Sequence, residues 1–324
     1  MPGPRKPSRL VRAMSLFGWT RHSFYLLSAF VLVCGLIVYV WWPLAEEYLA
    51  YMDWKGAWWL YFDWLLVGIW LAMSLLIMAK ANLKVDAKIV FVATLGGLVI
   101  EGWGTQTNLW HYYTTERPPL WIIPAWPIAA LATDRLVRLS HRITRHSEHR
   151  AESPTCEATP LYATNDMRGC FAKIARSDRS FSKDERLRCG VTRSDRYTKI
   201  AYWLIYLSFY AYMLFFVAPT FDKSLTLLAL LLCALLILTP TDPRWAVLTF
   251  VAGAGLGYFL EVWGTTRECW SYYTMQKPPF FAVLAHGMAS VAFWRTGLLL
   301  EKIMRRLRDK FATKIGRSRG FSRF

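Results

Sequence analysis

Read along the chain, apolar positions gather into eight long runs, about 23–44, 57–79, 88–104, 119–137, 199–218, 224–240, 245–263 and 279–300. Each approaches the roughly 20 residues a helix needs to cross a bilayer. A helix can also satisfy all its own backbone hydrogen bonds in lipid, which an open strand cannot. The third and seventh runs are glycine-rich and end in a glutamate. Between the fourth and fifth lies a polar stretch, 140–198, without a sustained helical or strand period. The pattern predicts an all-α integral membrane protein with about eight transmembrane helices. Its parts are an N-terminus (1–22), a first four-helix repeat (23–139), a loosely held linker (140–198), a second four-helix repeat (199–300) and a tail (301–324).

The division into repeats comes from one motif that occurs twice. Residues 101–119 read EGWGTQTNLWHYYTTERPP and residues 261–279 read EVWGTTRECWSYYTMQKPP, with ten identities and no gap. Identical aromatics in that register mark an internal duplication. Four helices separate the copies, an even number, so both halves enter the membrane the same way. Parallel repeats about a pseudo-twofold axis along the membrane normal follow. The register reaches back to Gly97 and Gly257, and Gly253 with Gly257 forms a small-xxx-small pair suited to close helix contact. Gly104 and Gly264 are expected to allow a tight turn after each glutamate, and Pro118–Pro119 and Pro278–Pro279 to open the following helix. Pro124 and Pro127 are expected to bend the fourth helix.

The formal net charge of +17 changes the picture only through its placement. Basic residues gather at Arg5, Lys6, Arg9, Arg12 and Arg21, at Lys80, Lys84 and Lys88, and in the tail, whereas 45–56 carries Glu46, Glu47 and Asp53 against Lys55. With eight helices these basic segments all fall on one side, the positive-inside pattern. That excludes a nucleic-acid reading. It places both termini in the cytoplasm of a plasma or inner membrane, with the tail near anionic lipid headgroups. Run 23–44 is longer than a signal-peptide core and ends in WWPLAEEY, which reads as an interfacial anchor. The six cysteines match no zinc spacing. No metal, nucleotide or flavin motif is present, so no cofactor is expected.

Four ionisable groups stand inside or at the edge of apolar runs: Asp63, Glu101, Glu261 and His286. On the expected topology all four lie in the outer part of the membrane. Buried ionisable groups are costly there and point to function. Glutamates at helix ends also serve as plain interfacial anchors, and a lone histidine, here aligned with Trp126, as a packing residue. Asp134 reads as an interfacial pair with Arg135. Trp103, Trp110, Tyr112 and Tyr113, with Trp263, Trp270, Tyr272 and Tyr273, fit an aromatic belt. Their faces also suit a carbocation.

At Glu101, Gly104, Thr105, Trp110, Tyr112 and Pro118, and at Glu261, Gly264, Thr265, Trp270, Tyr272 and Pro278, the chain resembles the membrane carotenoid hydratases of bacteria and archaea. The family's Thr-Gly and Phe-Gly pairs are absent, and tandem duplication is not its usual layout. The resemblance implies acid-catalysed protonation of an isoprenoid or carotenoid double bond, ending in hydration or cyclisation. Glu101 or Glu261 would be the acid, Asp63 or His286 its partner, and the eight aromatics the substrate shelter. Two other classes remain open: a transporter or lipid-binding protein built from parallel repeats, and a structural membrane subunit.

Overall fold

A computed structural model describes residue 14 and residues 18–152 and 193–320. The helices are α1 (Arg21–Val40), α2 (Trp42–Ala50), α3 (Trp64–Met78), α4 (Leu83–Gln106), α5 (Ala125–Glu152), α6 (Arg193–Val217), α7 (Ser224–Leu238), α8 (Pro243–Thr266) and α9 (Phe280–Gly320). Two three-residue strands, β1 (Trp110–Tyr112) and β2 (Trp270–Tyr272), and two short 3-10 helices, Trp58–Leu60 and Ala218–Thr220, complete the elements of the described residues. The all-α expectation holds apart from this small ladder.

Among the described residues, α1, α6, α8 and α9 are long and apolar enough to cross a membrane. The expected eight spans are thus met for four. Helices α3 and α7 have 15 residues each, about 22 Å of rise against a hydrocarbon core of about 30 Å. Helix α4 carries Lys84, Asp86, Lys88 and Glu101, and α5 carries Asp134, Arg135 and Arg138.

Helix α8 is central, packing along α9 and touching α3, α5 and α6. Gly253 and Gly257 explain the closeness: a Cβ at Gly253 would lie 2.9 Å from the His286 carbonyl, and one at Gly257 2.4 Å from His286 Cβ. Helix α6 presents Tyr202, Tyr206, Phe209, Met213 and Phe216 at helical spacing to one core. There the Tyr206 hydroxyl donates to the Ala246 carbonyl at 3.0 Å. The other core joins Phe30 of α1, Met73 and Ile77 of α3, and Ile128 and Leu131 of α5.

Several local expectations change. Helix α3 begins at Trp64, with Asp63 as its N-cap accepting from the Leu66 amide at 3.1 Å. Asp63 therefore precedes the helix, although the apolar run begins at about 57. An aspartate that caps an amide stops the helix from extending backward, whatever the hydropathy before it. Pro124 and Pro127 stand at the start of α5 and not in its interior: Pro124 directly precedes Ala125, and Pro127 lies in the first turn, where its missing amide costs no intrahelical bond. Pro118–Pro119 therefore lead into turns at 121–124, while α9 starts at Phe280, directly after Pro279. The polar stretch 140–198 is helical at both ends, since α5 runs to Glu152 and α6 begins at Arg193. The remainder, with Cys156, Cys170 and Cys189, lies outside the described residues. The tail continues α9 to Gly320.

The connections within the two halves differ. Residues 41–63 join α1 to α3, whereas 218–223 suffice between α6 and α7. The longer link exposes Tyr51, Trp54, Trp58, Trp59, Tyr61 and Phe62. Such rings with polar tips belong at the headgroup boundary. A nitroxide at Trp59→Cys, in a chain freed of its own cysteines, is expected to collide with oxygen and be shielded from a polar nickel chelate. Full chelate access would place the segment in water instead.

Candidate functional site

Each motif begins in the last turns of a helix and folds back over it. Asn108 and Glu268 adopt left-handed backbone angles (φ 61° and 57°). They end α4 and α8 with matching bonds, Leu109 amide to Gly104 carbonyl and Cys269 amide to Gly264 carbonyl, both 2.9 Å. The turn is therefore not made by Gly104 and Gly264, which serve another purpose. A Cβ at Gly104 would lie 1.8 Å from the Trp110 ring, and one at Gly264 1.9 Å from the Trp270 ring. Only a bare backbone lets each indole lie against its helix.

That placement aims two donors at each glutamate, and the helix that follows supplies a third partner. Glu101 accepts from Trp110 Nε1 on Oε2 (2.9 Å), and from Tyr112 Oη (3.0 Å) and Trp126 Nε1 (3.1 Å) on Oε1. Glu261 has Trp270 Nε1 on Oε2 (2.9 Å), and Tyr272 Oη (2.9 Å) and His286 Nε2 (2.9 Å) on Oε1. Both glutamates are 3% exposed, so each buried charge or dipole is compensated by two groups of its own motif and one from the helix that follows. His286 and Trp126, aligned in the sequence, thus hold equivalent places. Their rings stack, with centroids 5.5 Å apart and planes at 23°.

The strands join the two motifs antiparallel, pairing Trp110 with Tyr272, His111 with Ser271 and Tyr112 with Trp270. Each carboxyl's tryptophan thereby lies beside the other carboxyl's tyrosine, with ring centroids 6.0 Å apart in both pairs.

Of the four expected groups, Glu261 and His286 share a hydrogen bond and Glu101 is joined to them through the Trp126 ring; Asp63 stands two rings from Glu261, through Trp263 and Trp270. It accepts from Trp263 Nε1 (2.8 Å) and Arg267 Nε (3.1 Å) and touches neither glutamate. The corresponding indole, Trp103, donates to Thr226 Oγ1 near the start of α7 at 3.2 Å. Tyr113 and Tyr273 turn away from the site: their hydroxyls donate to the carbonyls of Val40 and Phe216, at the ends of α1 and α6.

One large cavity, about 1680 Å³, runs past these groups. It reaches from Glu47, Tyr48 and Glu268 to Thr239 at the end of α7 and Leu300 in α9. Its wall is mostly hydrocarbon and aromatic, with Glu101, Glu261, His286 and Asp63 among the few polar members. The other six expected aromatics line it, and Tyr113 and Tyr273 do not. Trp41, absent from the expected set, lines it too, and its buried indole N–H has no acceptor among the described residues. Its position in WWPLAEEY, read as a membrane anchor, hid that role.

Cys269 is buried in the loop, and burial pushes its thiol up to about 12. It therefore stays protonated, and poorly nucleophilic, through neutral and mildly alkaline pH. Maleimide is expected to label a cysteine placed at exposed Thr115 within minutes while sparing Cys269. Equal labelling, read by mass spectrometry, would show that the loop opens.

The chain matches no protein-family model, no curated protein and no solved structure. Fold and site together define a helical protein with membrane-spanning character and an apolar cavity holding buried acid groups.

Proposed function

We propose that the chain is a polytopic membrane enzyme that takes a lipid-soluble isoprenoid into its cavity and protonates one of the double bonds. The observation that carries this reading is the Glu261–His286 pair on the wall of an apolar cavity. A hydrocarbon substrate would fill such a space, and a carboxyl group in apolar surroundings can act as a general acid. A proton from Glu261 forms a C–H bond with the alkene π electrons, leaving a cation on the neighbouring carbon. The faces of Trp110, Tyr112, Trp270 and Tyr272 stabilise that cation. Water then adds and returns its extra proton to the Glu261–His286 pair, or a second double bond closes a ring and an adjacent C–H proton returns instead. Both routes are redox-neutral. The free Trp41 N–H suits the oxygen of water or of an alcohol product. A carotenoid is the substrate class that the motif's resemblance implies.

The eight-span arrangement as two parallel repeats, with cytoplasmic termini, belongs to the same proposal. It is supported by the matching glutamate environments and by the reciprocal strand pairing. Helices α3 and α7 would cross where the bilayer thins to meet them.

A lipid-binding or transport role without chemistry is favoured by one observation: each glutamate is bonded by the tryptophan and tyrosine of its own motif, which pins the loop whether or not a proton moves. Lipid extracts from cells with and without the protein separate the readings. The enzyme predicts a changed isoprenoid profile that Glu261→Gln abolishes, a loss of about 10²–10⁴ in rate. An unchanged profile with altered uptake of a polar solute would sink it.

A further inference from the structure

We infer that the two halves of the site have different duties: Glu261 with His286 exchanges the proton, and Glu101 acts through Trp126 as a positioning pair that fixes the imidazole. This rests on the acid role proposed above. The difference lies in a single position. Two of the three donors are chemically the same at both carboxyls, tryptophan on Oε2 and tyrosine on Oε1. The third is an indole on Glu101 and an imidazole on Glu261. An indole N–H only donates, so Trp126 holds Glu101 without taking or giving a proton. An imidazole nitrogen can do either.

Trp126 touches both sides. Its N–H is held by Glu101 at 3.1 Å and its face covers His286. Phe293 closes its edge, with ring centroids 5.9 Å apart and planes at 82°. The two rings are also wedged from outside. A Cβ at Gly97 would lie 2.4 Å from Trp126 Cδ1, and one at Gly257 2.4 Å from His286 Cβ. The imidazole therefore has one seat, with Glu261 of α8 at its nitrogen, Trp126 of α5 on its face and Glu101 of α4 behind that indole. Tyr272 of β2 shares Glu261 Oε1, and Ser290 donates to the His286 carbonyl at 2.9 Å. The hydrogen bond to Glu101 polarises the Trp126 ring through its N–H, and the polarised face attracts an imidazolium more strongly.

The test is nuclear magnetic resonance of the full-length protein in lipid nanodiscs, with isotopically labelled histidine and tryptophan side chains. Glu101→Gln is expected to move the Trp126 indole N–H resonance and, through it, the His286 ring resonances. Trp126→Phe keeps a ring in place but removes the N–H, and should move His286 similarly. The double variant should move it no further than Trp126→Phe alone, because without the indole N–H a change at residue 101 no longer reaches the imidazole. His286 resonances unmoved by Glu101→Gln, or additive shifts in the double variant, would overturn the proposal. These spectra need no substrate, so they fail or succeed independently of the isoprenoid profile. In that profile, Glu101→Gln should slow conversion roughly tenfold to hundredfold, whereas Glu261→Gln abolishes it. Equal losses in the two variants would overturn the division of duties.

Discussion

Arg135→Met is expected to destabilise the protein by about 3–5 kcal/mol, because it strands a buried carboxylate. Asp86 of α4 is 1% exposed. Its Oδ1 accepts from Arg135 Nη2 of α5 at 2.7 Å, and its Oδ2 from the Asn82 amide at 2.7 Å. Arg135 also reaches Asp134 at 2.6 Å, and Asp134 holds Arg138 at 2.8 Å. Water cannot replace the guanidinium at so closed a site, so the loss is the desolvation of an unpaired charge. The double variant Asp86→Leu/Arg135→Met removes both charges and is expected to recover most of the stability. Thermal unfolding in detergent compares the two. A single variant that melts with the native protein would mean that the pair adds nothing.

The second large effect is at Gly264. A valine there would drive its Cβ into the Trp270 ring, which has no space to retreat without leaving Glu261. Overpacking costs about 1–3 kcal/mol, and loss of the donor to a buried carboxylate oxygen about 1–3 kcal/mol more. The control is in the same helix: nothing lies within 4 Å of a Cβ at Gly255, so Gly255→Ala should melt no lower than the native chain, and alanine's better helix propensity favours a small rise. Gly104→Val is expected to repeat the defect around Glu101. If Gly264→Val melts unchanged, the indole is not seated against the helix.

The sequence made Glu101 and Glu261 legible because an ungapped repeat is a property of order along the chain. It made the equivalence of His286 and Trp126 legible for the same reason, since both lie 25 positions after their glutamates. The ladder between the motifs was hidden. Strands of three residues carry no usable period, and pairing across so much chain is non-local. Asp86 was hidden differently: it stands between Lys84 and Lys88, and reads as a surface charge until Arg135 is brought against it. The start of α3 was masked by aromatics, for Trp58–Phe62 are apolar enough to extend the run, while the Asp63 cap decides where the helix begins.

The reciprocal pairing of Trp110 with Tyr272 and Tyr112 with Trp270 has the form that two identical chains adopt about a twofold axis. In such a homodimer the third donor would have to be the same residue in both copies, two indoles or two imidazoles. A covalent link between the halves removes that obligation. Within one chain, tryptophan and histidine sit face to face, each on its own carboxylate, which two identical chains about a twofold axis could not achieve.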